Sequence, residues 1–168
     1  MFRTKAKTVL FATAFACASI VGPAANAATT TATFGVSITI LKACAITSAS
    51  AMAFGSNSNS LTTNTDTTSA ISVLCTATTP YNIGLDQGTT SGSTVASRKM
   101  VSGASTVNYA LYSDAARTSN WGNTVGTDTV AGTGTGLPVA TTVYGRVPVQ
   151  TAPAAGAYTD TVTVTVTY

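Results

Sequence analysis

The sequence predicts an all-β protein built as an antiparallel sandwich. Short segments of alternating apolar and polar residues recur after residue 28, and a period of two is typical of strands that bury one face. Turn-forming Gly, Pro, Asn and Asp separate these segments, while strand-favouring Thr and Val are abundant. Six or seven strands without a helical pattern beyond the N-terminus favour a sandwich. A closed barrel is the alternative.

The first 27 residues have the features of a secretion signal. Three basic residues precede an apolar run over residues 8–21, and Ala25-Asn26-Ala27 fits the small-x-small rule of signal peptidase. The run is shorter than the roughly 20 apolar residues that a membrane span needs. We expect cleavage after Ala27, which leaves one exported domain of ordinary size.

The exported part has no net charge, because it contains five basic residues and five aspartates. A chain without a basic patch is a poor partner for nucleic acid. It contains no histidine for a proton shuttle or a nucleophile pair, and its scattered aspartates form no calcium-loop pattern. Folding could still join two of them into a glycosidase pair. We expect no enzyme, no metal or other cofactor and no small-molecule substrate.

Two cysteines, Cys44 and Cys75, remain after the leader. An even number of cysteines in an oxidising compartment predicts a disulfide. Two buried free thiols are the alternative.

Two strands near the ends of the mature chain have the clearest alternation. The first covers Thr31–Ile40, and its apolar face is Ala32, Phe34, Val36, Ile38 and Ile40. The second covers Asp160–Tyr168 and places Val162, Val164, Val166 and Tyr168 on one face. No strand follows Tyr168, although a neighbour would be expected to pair there.

Other strands are predicted over residues 42–50, 70–78, 81–85, 107–112 and 137–149. Pro138 and Pro148 remove ladder donors, so they predict that the last of these is an edge or bulged strand. Arg98 and Lys99 are interpreted as part of a solvated loop. Trp121 and Tyr112 are interpreted as packing residues, with a sugar-stacking surface as the alternative.

Four segments carry a more specific pattern. They are C-A-I at Cys44–Ile46, the strand ending at Cys75, Y-A-L-Y-S-D-A-A-R-T at Tyr109–Thr118, and G-A-Y-T-D-T-V-T-V-T-V-T-Y at Gly156–Tyr168. Together they resemble the spore coat protein U domain, which is found in pilin subunits of archaic chaperone–usher pili. The resemblance covers essentially the whole mature chain.

The resemblance implies an incomplete immunoglobulin-like antiparallel β-sandwich that is completed by donor-strand exchange. In such subunits a periplasmic chaperone fills the apolar groove first. The N-terminal extension of the next subunit then replaces it at the outer-membrane usher by strand addition. Residues 28–41 would be the donor-strand extension and residues 42–168 the pilin domain. The donor side chains would be Ala32, Phe34, Val36, Ile38 and Ile40, and the acceptor groove and chaperone contact would involve Val162, Val164, Val166 and Tyr168.

We therefore expect a structural pilus (fimbrial) subunit that is secreted to the cell surface. It would polymerise with identical or related subunits for surface attachment and biofilm formation. A tip or minor adhesin-type binding module and a self-complemented secreted coat protein are the alternatives. Pairing of Thr31–Ile40 within its own sheet also stays open, although only residues 41–43, spanning at most about 10 Å, separate it from Cys44.

Overall fold

A computed structural model describes residue 22, residues 26–58 and residues 60–168. The predicted signal peptide, residues 1–27, lies almost entirely outside the described residues. The chain divides into two compact units, Met1–Ile38 and Thr39–Tyr168. In the first unit, the described residues 26–38 form neither helix nor strand, and their side chains are exposed.

The second unit consists of strands and loops, and its described residues contain no helix. Eight strands follow one another along the described part of the chain: β1 (Cys44–Ala49), β2 (Thr65–Cys75), β3 (Pro80–Leu85), β4 (Arg98–Ser102), β5 (Ser105–Tyr112), β6 (Val130–Thr133), β7 (Pro138–Val147) and β8 (Val164–Thr167). The Thr- and Val-rich composition of these segments suits half-buried strands.

The strands form two antiparallel sheets. The larger sheet has the order β1-β2-β7-β5-β4, and the smaller has the order β6-β3-β8. Each sheet keeps two edges, so the all-β antiparallel sandwich is confirmed and the closed barrel is not formed. β1 and β8 are edge strands of different sheets.

The core lies between the two sheets and follows from alternation. In β2 the side chains of Ile71, Val73 and Cys75 are buried, and the intervening residues are more exposed. β3 contributes Tyr81, Ile83 and Leu85 from the other sheet, and these side chains join the same apolar cluster. Burial of such a side chain contributes about 1.5–3 kcal/mol.

The prediction that residues 137–149 form an edge strand is wrong. β7 lies inside the larger sheet, between β2 and β5. Pro138 is the first residue of β7 and Pro148 follows its last residue, so neither proline interrupts the ladder between them. Proline is tolerated at the first position of a strand.

The interpretation of Arg98 and Lys99 as a solvated loop is also wrong. Both residues belong to β4, and Arg98 has 0% exposure. Its guanidinium donates hydrogen bonds to four backbone carbonyls, those of Leu85, Asp86, Val95 and Trp121. These bonds satisfy a buried cation that sequence pattern alone assigns to solvent.

A disulfide joins β1 to β2. Cys44 and Cys75 face each other in the register of the two strands and are bonded. The pairing predicted from the cysteine count is therefore present.

Candidate functional site

β8 has a neighbour on one side only. It pairs with β3 in the register Leu85↔Val164, Gly84↔Thr165 and Ile83↔Val166, and no described strand lies on its other side. The adjacent amide of Asp86 donates to the carbonyl of Thr163. Because hydrogen-bonded and non-bonded pairs alternate in an antiparallel ladder, Thr165 directs its backbone groups to β3. Val164 and Val166 direct theirs to the open edge.

β1, an edge strand of the larger sheet, lies beside the open edge of β8. Among the described strands it pairs with β2 alone, and five of its six residues are exposed. Ile46 shares a face with Cys44, whose sulfur is bonded to the buried Cys75. Ile46 is nevertheless 41% exposed. The inner face of β1 is therefore left partly uncovered.

A cavity of about 400 Å³ opens into the sandwich beside β8. Its lining includes buried core side chains from both sheets and the partly buried residues of the chain leading into β8. Among the lining residues are Met52, Phe54, Ile71, Leu85, Met100, Tyr109, Leu111, Val143, Val162 and Val164. A second cavity of about 740 Å³ shares Met52, Phe54, Met100 and Tyr158 with the first. Together we call these two cavities the groove.

The edge strands β1 and β8 carry no charge. β1 reads C-A-I-T-S-A and β8 reads V-T-V-T. β4, the other edge strand of the larger sheet, carries the partly exposed Lys99. Charged residues on edge strands oppose the addition of a further strand. β1 and β8 lack this protection.

Two carboxylates hold the segment that precedes β8. Asp86 accepts hydrogen bonds from the backbone amides of Gly88 and Thr163. Asp160 accepts bonds from the amide and hydroxyl of Thr89 and from the Tyr109 hydroxyl, which lies 2.7 Å from Oδ2. These side-chain bonds add to the backbone bridge between Thr159 and Val101 in fixing the entry to β8.

The ionised state of both carboxyl groups is favoured. Burial opposes ionisation, but hydrogen bonds from Thr163 and Gly88 hold the pKa of Asp86 below its usual value. Burial acts in the same way at Asp160, where bonds from Tyr109 and Thr89 lower the pKa. Burial and the bond to Asp160 raise the pKa of Tyr109, so its hydroxyl keeps the proton that it donates.

Residues 31–40 form no strand in the described chain, and their side chains are exposed. Phe34 is 87% exposed, Val36 84%, Ile38 87% and Ile40 74%. Apolar side chains of this size are usually covered in folded proteins. The predicted donor side chains are therefore without cover in the single chain.

The predicted acceptor residues fall into two groups. Val162 and Val164 line the groove, and Val166 packs against the core. Tyr168 lies beyond the end of β8 and is 59% exposed. The strand predicted over Asp160–Tyr168 is shorter than expected, because side-chain bonds hold its first residues.

Sequence reasoning missed the segment Ala51–Gly55. Met52 and Phe54 are partly buried and pack against the core, whereas Ala51, Ala53 and Gly55 are exposed. Phe54 makes an edge-on ring contact with Tyr109 at 6.1 Å. The alternation in A-M-A-F-G was the signal that could have identified this part of the groove.

Trp121 does not offer a sugar-stacking surface. Its side chain is 0% exposed, and its indole nitrogen donates to the carbonyl of Ile83 at 2.8 Å. The interpretation of this tryptophan as a packing residue is correct, and a stacking role for an exposed Trp121 is excluded.

Within the described ranges, no group of three or more His, Cys, Asp or Glu side chains is placed to hold a metal ion. None of the described residues belongs to a helix long and apolar enough to cross a membrane.

Comparison with known proteins agrees with this architecture. The chain is 43% identical to Protein U of Myxococcus xanthus over 107 residues, which are 60% of this chain and 59% of that protein. The chain thus spans about three fifths of the length of this relative.

A solved structure has a similar fold. It is the crystal structure of the CsuC-CsuE chaperone-tip adhesion subunit pre-assembly complex from archaic chaperone-usher Csu pili of Acinetobacter baumannii. The TM-score is 0.56 at 23% identity, over 77% of this chain and 40% of that chain.

Residues 30–165 match the Spore Coat Protein U domain. This match covers most of the sequence, so the chain belongs to the Spore Coat Protein U domain family.

Proposed function

We propose that the protein is a structural pilus subunit that polymerises by donor-strand exchange. The exposed segment Thr31–Ile40 of one subunit adds to β8 of the next and covers the groove. A periplasmic chaperone occupies the groove before assembly, and an outer-membrane usher joins the subunits. The resulting fibre lies on the cell surface and serves attachment and biofilm formation.

The observation that carries this proposal is the unprotected edge of β8 above an apolar opening. The free backbone groups of Val164 and Val166 offer a ladder to an incoming strand. The groove beneath offers apolar surface to alternate side chains of that strand. Backbone pairing supplies affinity and the side-chain pockets supply register in this mode of recognition.

The exposed segment has the complementary chemistry. Phe34, Val36, Ile38 and Ile40 occupy every second position, and no charged residue interrupts Thr31–Ile40. Complete burial of these four side chains stabilises the junction by about 6–12 kcal/mol. This is an upper bound, since the free segment already shields part of its apolar area.

The relatives support the same function. Membership of the Spore Coat Protein U domain family agrees with a structural role. The solved structure of similar fold contains a subunit of archaic chaperone-usher pili with its chaperone. By analogy we assign a chaperone, an usher and further pilin subunits as partners, and the cell surface as the destination.

The test is a denaturing gel of material sheared from cells, loaded with and without boiling. We expect a ladder of multiples that collapses to one band on boiling. Phe34→Asp removes the ladder because it places a charge in the groove. Thr33→Asp is the matched control, since the alternation puts residue 33 on the opposite face.

Either of two results would contradict the proposal. A single monomer band in every lane means that the chain completes its own fold, as a secreted coat protein would. A ladder that survives in Phe34→Asp means that another surface joins the subunits. Attachment of cells carrying Phe34→Asp to a surface, compared with Thr33→Asp, then tests the role in biofilm formation.

A further inference from the structure

The groove contains both methionines of the exported chain. The sequence has three methionines, and Met1 belongs to the predicted leader. Met52 and Met100 each line both cavities of the groove. The two cysteines of the exported part are joined as a disulfide, so the thioethers of Met52 and Met100 are its readily oxidised sulfur groups.

Both side chains are partly buried and border open space. Each is only partly covered by protein and packs against the edge of the core. A small hydroperoxide therefore has a path to the sulfur atoms through the groove. A donor strand in the groove would close this path.

The position of Met52 makes it sensitive to a change at sulfur. Its Sδ lies against Gly145 of β7, at a place where a Cβ on residue 145 would clash. The segment that carries Met52, Ala51–Gly55, makes no backbone hydrogen bond to other parts of the described chain. An added oxygen on Sδ cannot be accommodated toward Gly145, so it turns toward the groove or displaces this weakly held segment.

We propose that Met52 and Met100 are sulfoxidation sites that close the groove to an incoming strand while neither a chaperone nor a donor strand fills it, an inference that rests on the proposed function. A sulfur lone pair attacks one oxygen of a hydroperoxide, an S–O bond forms and the O–O bond breaks. The sulfur loses two electrons, and the proton of the transferred oxygen passes to the departing oxygen, so that the peroxide is reduced to water or an alcohol. The apolar groove then contains polar sulfoxides.

The consequence is a difference between free and assembled subunits. A free subunit exposed to hydroperoxide loses its capacity to accept a strand. A subunit whose groove is filled is protected at both methionines. Oxidant thus prevents free subunits from joining a fibre and leaves assembled subunits unoxidised at these two methionines.

The experiment uses the mature chain with Phe34→Asp, which cannot donate its own strand, and a synthetic peptide of residues 31–40. Peptide binding is measured before and after treatment with hydrogen peroxide. We expect a loss of affinity of about tenfold or more, the effect of burying a polar group without a partner. The matched control adds Met52→Leu and Met100→Leu, which nearly conserve volume, and should bind the peptide equally before and after peroxide.

Peptide-mapping mass spectrometry of the chain that keeps both methionines gives an independent measurement. We expect one added oxygen at Met52 and at Met100 in the free chain, and protection of both when the peptide is bound. Unchanged peptide binding after both sites are oxidised would overturn the inference and leave the proposed function intact. Equal loss of binding in the Leu variant would overturn it as well. Failure of the untreated chain to bind the peptide would instead contradict the proposed function.

Discussion

At one end of the sandwich, the guanidinium of Arg98 connects three segments of the chain. It donates to carbonyls at the end of β3, in the loop before β4 and at Trp121. Burial lowers the pKa of Arg98, whereas Tyr109 and the nearby aspartates favour its charged form. The planar group provides several donors in fixed directions, which a lysine ammonium cannot reproduce.

Arg98→Lys should therefore destabilise the fold while keeping the charge. We expect the free energy of unfolding to fall by about 1–3 kcal/mol, because at least one buried carbonyl loses its donor. Chemical denaturation followed by tryptophan fluorescence measures the change. Lys99→Ala on the same strand is the control and should cost less than about 1 kcal/mol. Equal losses in both variants would contradict the assigned role.

Asp86 and Asp160 should make the fold sensitive to acid. Their pKa values are lower in the folded chain than in the unfolded chain. Their contribution to stability is therefore present above about pH 4 and is lost as the pH falls through the folded values. Thermal unfolding between pH 7 and pH 2.5 should show this loss. Asp86→Asn with Asp160→Asn should be less stable at pH 7 and show a weaker pH dependence. An undiminished pH dependence in the double variant would assign it to other carboxylates.

Single residues were predicted unevenly from the sequence. Trp121 was correctly interpreted as packing, because a lone aromatic residue more often fills a core than a surface. Arg98 was assigned to solvent, because its four acceptors are carbonyls from distant positions that leave no sequence signal. Asp160 was placed in a strand for the same reason, since its partners lie between 51 and 71 positions earlier in the chain.

Among the elements, β8 has two different sides. Thr165 faces β3 with its backbone groups, while the amide of Val166 faces the open edge. Proline removes one backbone donor and is tolerated where that donor points away from the sheet. Proline at position 165 should therefore affect the fold, whereas proline at position 166 should affect strand addition.

Val166→Pro should leave a folded monomer that cannot accept a strand. Thr165→Pro should unfold the edge of the smaller sheet, because it removes a bond to β3. Circular dichroism measures folding, and the unboiled gel measures polymerisation. If Val166→Pro still forms the ladder, the incoming strand does not pair with this edge.

The elements were largely predictable because their apolar residues alternate. β3 and β5 begin within two residues of the predicted limits, whereas β2 begins five residues before its predicted start. β4 was missed because basic residues begin it, and the central position of β7 was missed because prolines flank it. In both cases the tertiary neighbours, rather than the local pattern, decide the outcome.

For the whole molecule, the proposed donor segment and the groove are made of different residues, so each can be disabled alone. Phe34→Asp removes the donor and keeps the groove. Val166→Pro removes the acceptor edge and keeps the donor. Neither variant should polymerise by itself.

A mixture of the two variants should form dimers and nothing longer. The intact donor of the Val166→Pro chain enters the intact groove of the Phe34→Asp chain, and no further junction is available. Size-exclusion chromatography with light scattering measures this, with each variant alone as its control. Trimers or longer species in the mixture would contradict a single donor–groove junction.

At this scale, the sequence predicts both partners of the proposed junction but not the groove within the sandwich. The period of two predicts strands at residues 31–40 and at the valines of β8, and the family resemblance predicts their roles. The groove also needs Met52, Leu85 and Leu111, which lie far apart in the chain. Only the packing of the two sheets brings these side chains together.

The disulfide between Cys44 and Cys75 also affects how a fibre would resist pulling. Force applied to the segment before β1 arrives at Cys44, while Thr76 donates hydrogen bonds to the carbonyls of Leu41 and Ala43. The covalent bond passes the tension directly to the end of β2, and β2 is paired with β7 from Thr65 to Leu74. The hydrogen bonds between β1 and β2 therefore carry less of the force. A reducing agent would break the disulfide. Under load, β1 would then separate from β2 and lengthen the subunit before the core unfolded.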